Sequence, residues 1–407
     1  MKSGTPAPYK RCRSSKKQNM NYIKVIGVFL FVSLISSCNN KEKPIVNNKD
    51  AEKIELNNEV TNPTIEAFIN KMIDEEHFKG VVLAAVNDEV IHAKGYGMAN
   101  DTAKNNINTK FHVASITKQF TAAAIMQLVE QNKINLEESI NEFLPSQYRS
   151  DKWEVVNIHH LLSHTSGIED YAVTRDYYHV EKGFCLGNTV DGMIKEAMAK
   201  ELEFPPGSKF TYSNIGYTLL GEIIQNITGE PYHRYLKENV LEPLEMKSSF
   251  IHTIDYEASS DEAIGYRWDD EQNQHVLDDI VSLPVTEPDG NLVTTLNDFL
   301  KWTNIYVESE QPILEDQSIN KMTTPYIEAD EVGPYGNLDM YGFGLYLSKE
   351  LISHSGYIVG FRSHFIVNPK ENLKVIVFAN NVSMSPKSVS SGIYKIISDN
   401  TPVQNKI

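Results

Sequence analysis

Phe111-His-Val-Ala-Ser-Ile-Thr-Lys-Gln-Phe120 places Ser115 and Lys118 three residues apart at the head of a long apolar segment. From Gln119 to Val129 no residue is charged, and Phe120, Ala124, Ile125, Leu128 and Val129 recur at helical spacing. This pattern predicts a helix, buried on most sides, that begins at Ser115. Residues three apart share a helix face, which brings the Lys118 amine within reach of the Ser115 hydroxyl. A helix N-terminus also offers unpaired N–H groups and the positive end of a dipole to negative charge developing beside Ser115. A serine hydroxyl is a weak nucleophile until a base takes its proton, so the pair reads as a nucleophile and its base. The spacing alone is common, since Ser14/Lys17 and Ser318/Lys321 repeat it without a buried-helix pattern around them.

Two further motifs adjoin predicted buried elements. In Phe210-Thr-Tyr-Ser-Asn-Ile-Gly-Tyr217, Tyr212 and Asn214 stand at the entry to a helix marked by Ile215, Leu219, Ile223 and Ile227 and stopped by Gly229 and Pro231. A phenol can shuttle a proton, and a carboxamide can hydrogen-bond a substrate carbonyl. With a free pKa of about 10 the phenol needs a nearby cation to act as a base, and Lys118 is a candidate. In His354-Ser-Gly-Tyr-Ile-Val-Gly-Phe361, which leads into a strand, His354 has two readings. It is either a cation or donor on a cleft edge, suited to a carboxylate, or an ordinary histidine at a strand edge. Gly356 would let a substrate backbone lie close.

The ordered set Ser115…Lys118, Tyr212…Asn214, His354…Gly356, with Leu161-Leu-Ser-His-Thr-Ser-Gly167 and Pro205-Pro-Gly207, resembles the serine β-lactamase and penicillin-binding-protein superfamily. The likeness is to the class C β-lactamase-like branch, with its DD-carboxypeptidases, esterases and D-aminopeptidases, and covers roughly residues 64–395. It implies an α+β fold in which an antiparallel sheet is flanked by helices, with a mostly helical second subdomain. It further implies that Ser115 forms an acyl-enzyme on amide or ester carbonyls and that Lys118 and Tyr212 share the proton transfers. Asn214 would hold the substrate amide, and the backbone N–H groups of Ser115 and Tyr357 would form an oxyanion hole. No metal or cofactor is implied. The implied substrate classes are cell-wall D-amino acid peptides, β-lactams and small esters. Class C β-lactamases carry Lys where this chain has His354, and histidine is mostly neutral at pH 7, so recognition of a substrate carboxylate is the weak point of a β-lactamase assignment. The alternative from another class is a non-catalytic or slowly deacylating penicillin-binding sensor or scaffold.

The chain has 407 residues and is 41% hydrophobic, enough for a full core. Its formal net charge is −16, and seven of its basic residues fall before residue 25, so the remainder is more acidic still. Such a body is unsuited to nucleic acid, which is bound by neutralising phosphates with Lys and Arg. Residues 20–38 have a short basic start, an apolar run and then small residues, the layout of a secretory signal. Ile35-Ser-Ser-Cys38 resembles the bacterial lipobox, which implies cleavage before Cys38 and lipid on its thiol. The expected organisation is a preface and lipoprotein signal peptide over 1–37, a flexible tether over 38–61 and the hydrolase domain over 62–400. The expected protein is exported and anchored by lipid to a bacterial membrane, facing periplasm or cell surface, with a small molecule or peptide as substrate. Cys185 is the only other cysteine beyond the leader, so no internal disulfide is expected. Within the domain, a helix capped by Thr64, a hairpin over 81–96 turning at Asn87-Asp88, strands at 342–347, 361–367 and 373–379 and a final helix over 386–398 enclose a helical middle.

Overall fold

Asn87 and Asp88, both at positive φ (49° and 63°), turn the chain between strands β1 (Gly80–Val86) and β2 (Glu89–Tyr96). Two consecutive left-handed residues match the twist of a tight hairpin, and Asn and Asp tolerate that conformation. The computed structural model describes residues 56–170, 189–253, 258–278, 286–308, 311–332 and 338–400. Cys38 and Cys185 lie outside them. β1 also pairs with β8 (Leu373–Ala379), so early and late segments of the domain meet in one sheet. The other strands are β3 (Ile327–Val332), β4 (Leu338–Tyr341), β5 (Tyr346–Ser348), β6 (Leu351–Ile358) and β7 (Phe361–Asn368). The order is β2-β1-β8-β7-β6-β5-β4-β3, antiparallel at every pairing.

Alternate residues of β1 face opposite layers, as the two-residue strand period requires. Val82 and Ala84 join a core with Ile65 and Ile69 from the helix Pro63–Glu76 and Val389 and Ile393 from the helix Pro386–Asn400. Val81, Leu83 and Ala85 join the larger core, which includes Phe120, Leu220 and Phe299. The predicted Thr64 cap is corrected to Asn62, whose side chain accepts from the Thr64 and Ile65 amides, with Pro63 in the first turn. Packing extends upstream of that cap: Leu56 is buried, and Val60 exchanges two backbone hydrogen bonds with Ala93.

The helix Lys118–Glu130 is buried along its length from Lys118 to Leu128. Phe120 stacks on Trp302 with centroids 3.7 Å apart, and truncation of such a buried aromatic costs about 3–5 kcal/mol. The Gln119 carboxamide donates to Ile116 O and accepts from Trp302 Nε1 and Tyr306 Oη, so the helix start is held by satisfied polar groups as well as packing. Ser115 precedes this helix: Ala114–Thr117 form a 3₁₀ turn, and Ala114 carries a left-handed φ of 50°. The repeat pair Ser318/Lys321 also lies on a helix, Asp316–Met322, with Ser318 buried. The two settings still differ, because Lys321 is only half-buried on a short helix whose Asp316, Gln317 and Asn320 are exposed, whereas Lys118 is fully buried on a helix covered from Lys118 to Leu128.

His354 lies within β6, paired with Phe365 of β7, and is buried rather than standing on an edge. β6 is buried from Leu351 to His354 and opens at Ser355 and Tyr357, and Ser353, His354, Ser355 and Gly356 run through it without an apolar alternation. Of the predicted strand over 342–347 only its end is extended, because Gly344 adopts φ 72°. Among the described residues no helix is long and apolar enough to cross a membrane.

Candidate active site

Lys118 Nζ donates three hydrogen bonds, to Ser115 Oγ (3.2 Å), Asn214 Oδ1 (2.8 Å) and the carbonyl of Asp289 (2.8 Å). All three ammonium protons are thus placed on acceptors. Burial pushes its pKa down to about 8, against the opposing charges of Asp289 and Asp170. On losing a proton the amine can keep its two shorter bonds and turn its lone pair toward Ser115 Oγ, the longest contact. The geometry can therefore take the serine proton without rearrangement.

Asn214 is aimed by Asp170. The Asp170 carboxylate accepts from the Asn214 amide (2.9 Å), from Asn214 Nδ2 (3.0 Å) and from the Ile215 amide (2.9 Å). It satisfies two N–H groups in the first turn of the helix Asn214–Thr228, where Ser213 also caps the Gly216 amide. A carboxylate only accepts and an ammonium only donates, so the Asn214 amide must place Nδ2 on Asp170 and Oδ1 on Lys118. The Asn214 oxygen is thus committed to Lys118, which leaves the second N–H of Nδ2 for the cleft. Burial raises the pKa of Asp170, and the Ile215 amide opposes that rise.

A second chain of hydrogen bonds runs beneath Tyr212. The Ser213 amide donates to His164 Nδ1 (3.2 Å), which leaves the proton of this imidazole on Nε2. His164 Nε2 is 3.1 Å from Tyr341 Oη, and Tyr341 Oη is 3.1 Å from His354 Nε2. His354 Nδ1 donates to the Ser355 carbonyl (2.6 Å). These partners give one self-consistent direction: His164 donates to Tyr341, Tyr341 donates to His354, and His354 donates to the backbone. Burial pushes His354 down to about 3 and His164 well below the usual range, both aided by the Lys118 charge. His354 is a neutral, oriented imidazole rather than the cation the sequence offered as one reading.

Tyr212 rests on this chain, its ring centroid 4.3 Å from that of His164, and Lys118 Nζ lies 4.9 Å from its other neighbour, the Tyr212 ring centre itself. Burial raises the phenol well above 10, and Ser115 is the hydroxyl that favours its ionised form. No hydrogen bond of good geometry closes on the buried phenol oxygen, so Tyr212 is a protonated phenol with capacity to spare. Gly356 is corrected as well. A Cβ there would lie 2.1 Å from Val113 O and 2.2 Å from Ser363 Oγ, so the glycine lets β6 press against the segment leading to Ser115 rather than admitting substrate. Ser363 Oγ seals that join by donating to Val113 O at 2.7 Å.

Ser115, Tyr212, Asn214, His354 and the largely exposed Tyr357 line one cleft of about 410 Å³, with Asp289 and Asp330 among the other lining residues. Asp170, Asp289, His164 and Tyr341 are the functional neighbours that sequence reasoning did not assign. Leu161–Gly167 and Pro205–Gly207 are joined by Gly207 N to Thr165 O at 2.8 Å, with Glu203 N to Gly167 O at 2.7 Å just upstream, which braces the wall carrying His164.

The family model described as Beta-lactamase matches residues 65–391. Protein flp of Staphylococcus aureus strain MW2 is 30% identical over 338 residues, covering 80% of this chain; the chain spans 64% of that relative's length. The putative penicillin-binding protein PbpX of Bacillus subtilis strain 168 is 26% identical over 365 residues, covering 88% of this chain and 85% of its own. The solved octameric penicillin-binding protein homologue from Pyrococcus abyssi superposes with a TM-score of 0.72 at 30% identity, over 83% of this chain and 77% of that one. On the span of that match and the shared fold, the chain belongs to the beta-lactamase family.

Proposed function

We propose that the protein is a serine hydrolase that works through an acyl-enzyme on Ser115. The observation that carries this reading is the 3.2 Å contact between Lys118 Nζ and Ser115 Oγ, made by an amine whose pKa is brought down to about 8. In acylation Ser115 Oγ bonds to the substrate carbonyl carbon while its proton passes to Lys118. The backbone N–H groups of Ser115 and Tyr357 receive the oxyanion, each such donor supplying about 10²–10³ in rate. Collapse breaks the bond to the amine or alcohol, which leaves with a proton delivered through the Tyr212 phenol from Lys118. Water then attacks the acyl carbon, yields its proton by the same route and frees Ser115.

A protonated Tyr212 and a partly neutral Lys118 divide the labour as donor and acceptor. The chain contributes no cation at His354 to receive a carboxylate, which turns the reading from β-lactams toward esters and amides. An active-site acylating or phosphonylating probe followed by intact mass tests it: one adduct on Ser115 is expected, with an acyl adduct decaying over time. No adduct would refute the nucleophile, and a permanent acyl adduct would favour a penicillin-binding sensor. Lipid anchoring at Cys38 belongs to the same proposal, supported by the Ile35-Ser-Ser-Cys38 sequence. Cys38→Ala should move the protein out of the membrane fraction.

A further inference from the structure

Ala114, the residue before the nucleophile, holds a left-handed φ of 50° without the freedom of glycine or the side chain of Asn or Asp to ease it. A 3₁₀ turn closes on i→i+3 backbone bonds of poor geometry, and here one side chain reinforces them. The fully buried Thr117 hydroxyl donates to the Ala114 carbonyl at 2.7 Å and accepts from the Leu292 amide at 3.0 Å. An amide N–H only donates, so the Leu292 bond leaves the hydroxyl proton for the Ala114 oxygen and fixes the direction of the pair. Leu292 also accepts from the Val113 amide at 3.1 Å, so one residue of the strand Leu292–Thr294 grips the turn on both sides of Ala114.

The consequence appears at the other end of the same peptide unit. The Ala114 carbonyl and the Ser115 N–H belong to one planar trans peptide, in which they point in opposite directions. A carbonyl held toward the buried Thr117 therefore aims the Ser115 N–H away from it, toward the cleft that Ala114 and Ser115 line. Resting on the hydrolase reading, we infer that Thr117 is a positioning residue for the oxyanion hole, its hydroxyl setting the direction of the Ser115 N–H through this rigid plane without touching substrate. The second donor, the Tyr357 N–H, lies on β6, and the same turn is fastened to that sheet where Gly356 closes on Val113 O and Ser363 Oγ donates to it. Both donors thus share one frame, and Thr117 governs only the first. The ammonium of Lys118 is held by Ser115, Asn214 and Asp289, and none of these bonds runs through the Thr117 hydroxyl. The hydroxyl accordingly serves the oxyanion and not the base.

The test compares hydrolysis of p-nitrophenyl acetate with that of its thiono analogue by the purified full chain. Sulfur in place of the carbonyl oxygen is larger and a weaker acceptor, so the oxygen-to-sulfur ratio in kcat/KM, taken relative to the uncatalysed esters, reports on the hole itself. Thr117→Val should lower kcat/KM for the oxygen ester by about ten- to hundredfold, short of or equal to the 10²–10³ of an absent donor, and should lower the ratio by at least about threefold. Thr117→Ser keeps the hydroxyl and should restore both, and the acid limb of the pH profile should stay in place in each variant. Thr117→Val also strips the Leu292 amide of its partner and lowers stability. Ser390→Ala, which removes a buried hydroxyl bonded to His364 on the helix Pro386–Asn400, supplies the response to lost stability alone and should leave the ratio at its wild-type value. Should Thr117→Val not fold, Thr117→Cys, whose thiol is a weak donor, is read by the same criteria. An unchanged ratio in the hydroxyl-free variant, a shifted acid limb, or no rescue by serine would overturn the inference while leaving the hydrolase reading standing. A wild-type chain that neither turns over the esters nor takes a fluorophosphonate on Ser115 would overturn both.

Discussion

Lys118 and His354 are fully buried nitrogen bases belonging to one cleft, and burial drives both toward the neutral form, yet they reach different states. Lys118 meets only acceptors, with Asp289 and Asp170 close enough to favour its charge, and stays poised at about 8. His354 meets an acceptor at Nδ1 and a hydroxyl donor at Nε2, a pairing that satisfies a neutral ring and leaves no place for a second proton. Desolvation is thus common to both sites, and the kind of partner decides whether a buried base can exchange protons or serves as a fixed strut. The first arrangement is reactive and the second is architectural.

The sharpest way to break this comparison is to remove the exchange. Ser115→Ala should lower turnover by about 10⁶ and abolish adduct formation without unfolding the chain. Lys118→Arg should cost about 10²–10⁴, because arginine holds its proton across the working range and cannot accept another. In the unaltered enzyme the neutral amine is the base, so kcat/KM should rise tenfold per pH unit on the acid side and level off above about 8. A profile already flat from pH 6 upward would remove Lys118 from the base role and leave both buried nitrogens architectural.

A smaller effect comes from Asp170, which touches neither Ser115 nor Lys118 directly but orients Asn214 and adds negative charge nearby. Asp170→Asn removes a charge that raises the Lys118 pKa, so the acid limb should shift to lower pH, with turnover lower by about tenfold from loosened Asn214 geometry. An acid limb that stays in place would reduce Asp170 to a cap for the helix Asn214–Thr228. The pH shift distinguishes the roles, since a cap alone affects stability.

These two residues also mark what the chain reveals before it folds. Ser115 and Lys118 were legible because three residues on a tight turn must share a face, and the uncharged run to Val129 announced a buried helix. Tyr212 and Asn214 were legible from their place at the head of a strongly periodic helix. Asp170 and Asp289 were not, since they reach Lys118 or Asn214 across 44 and 171 positions, distances no local period encodes. β6 escaped for a related reason: its Ser353-His354-Ser355-Gly356 run shows no apolar alternation, and His354 reads as an edge residue until Tyr341 and the Ser355 carbonyl account for the ring nitrogens. Gly356 was noticed correctly as a site of close approach but assigned the wrong neighbour, which is Val113 rather than substrate.

The architectural half of the comparison is sharpened by Tyr341→Phe. This change strips the hydroxyl between His164 and His354, leaving one buried N–H and one buried lone pair unmatched, with a cost of about 1–3 kcal/mol in urea unfolding. The acid limb assigned to Lys118 should not move with it. A shifted limb would mean that the lower chain feeds the proton transfers after all.

The smallest effect tests the neutrality of His354 itself. Its folded pKa, about 3, lies below the reference value of about 6.5 for an unfolded chain. The unfolded state therefore binds the extra proton first, so the stability from keeping the ring neutral is present above 6.5 and is lost as pH falls toward 3. Between pH 7.5 and 5.5 a single such ring accounts for about 1.4 kcal/mol of lost stability. His112 and His364, each also pushed down to about 3, add to the wild-type slope in the same direction. His354→Gln removes one titrating ring from that set, so the variant, whatever its stability at pH 7.5, should lose about 1.4 kcal/mol less than wild type on going to pH 5.5. Equal losses in the two proteins would mean that His354 takes up its proton as readily folded as unfolded, which would return it to the cationic role and undo its contrast with Lys118.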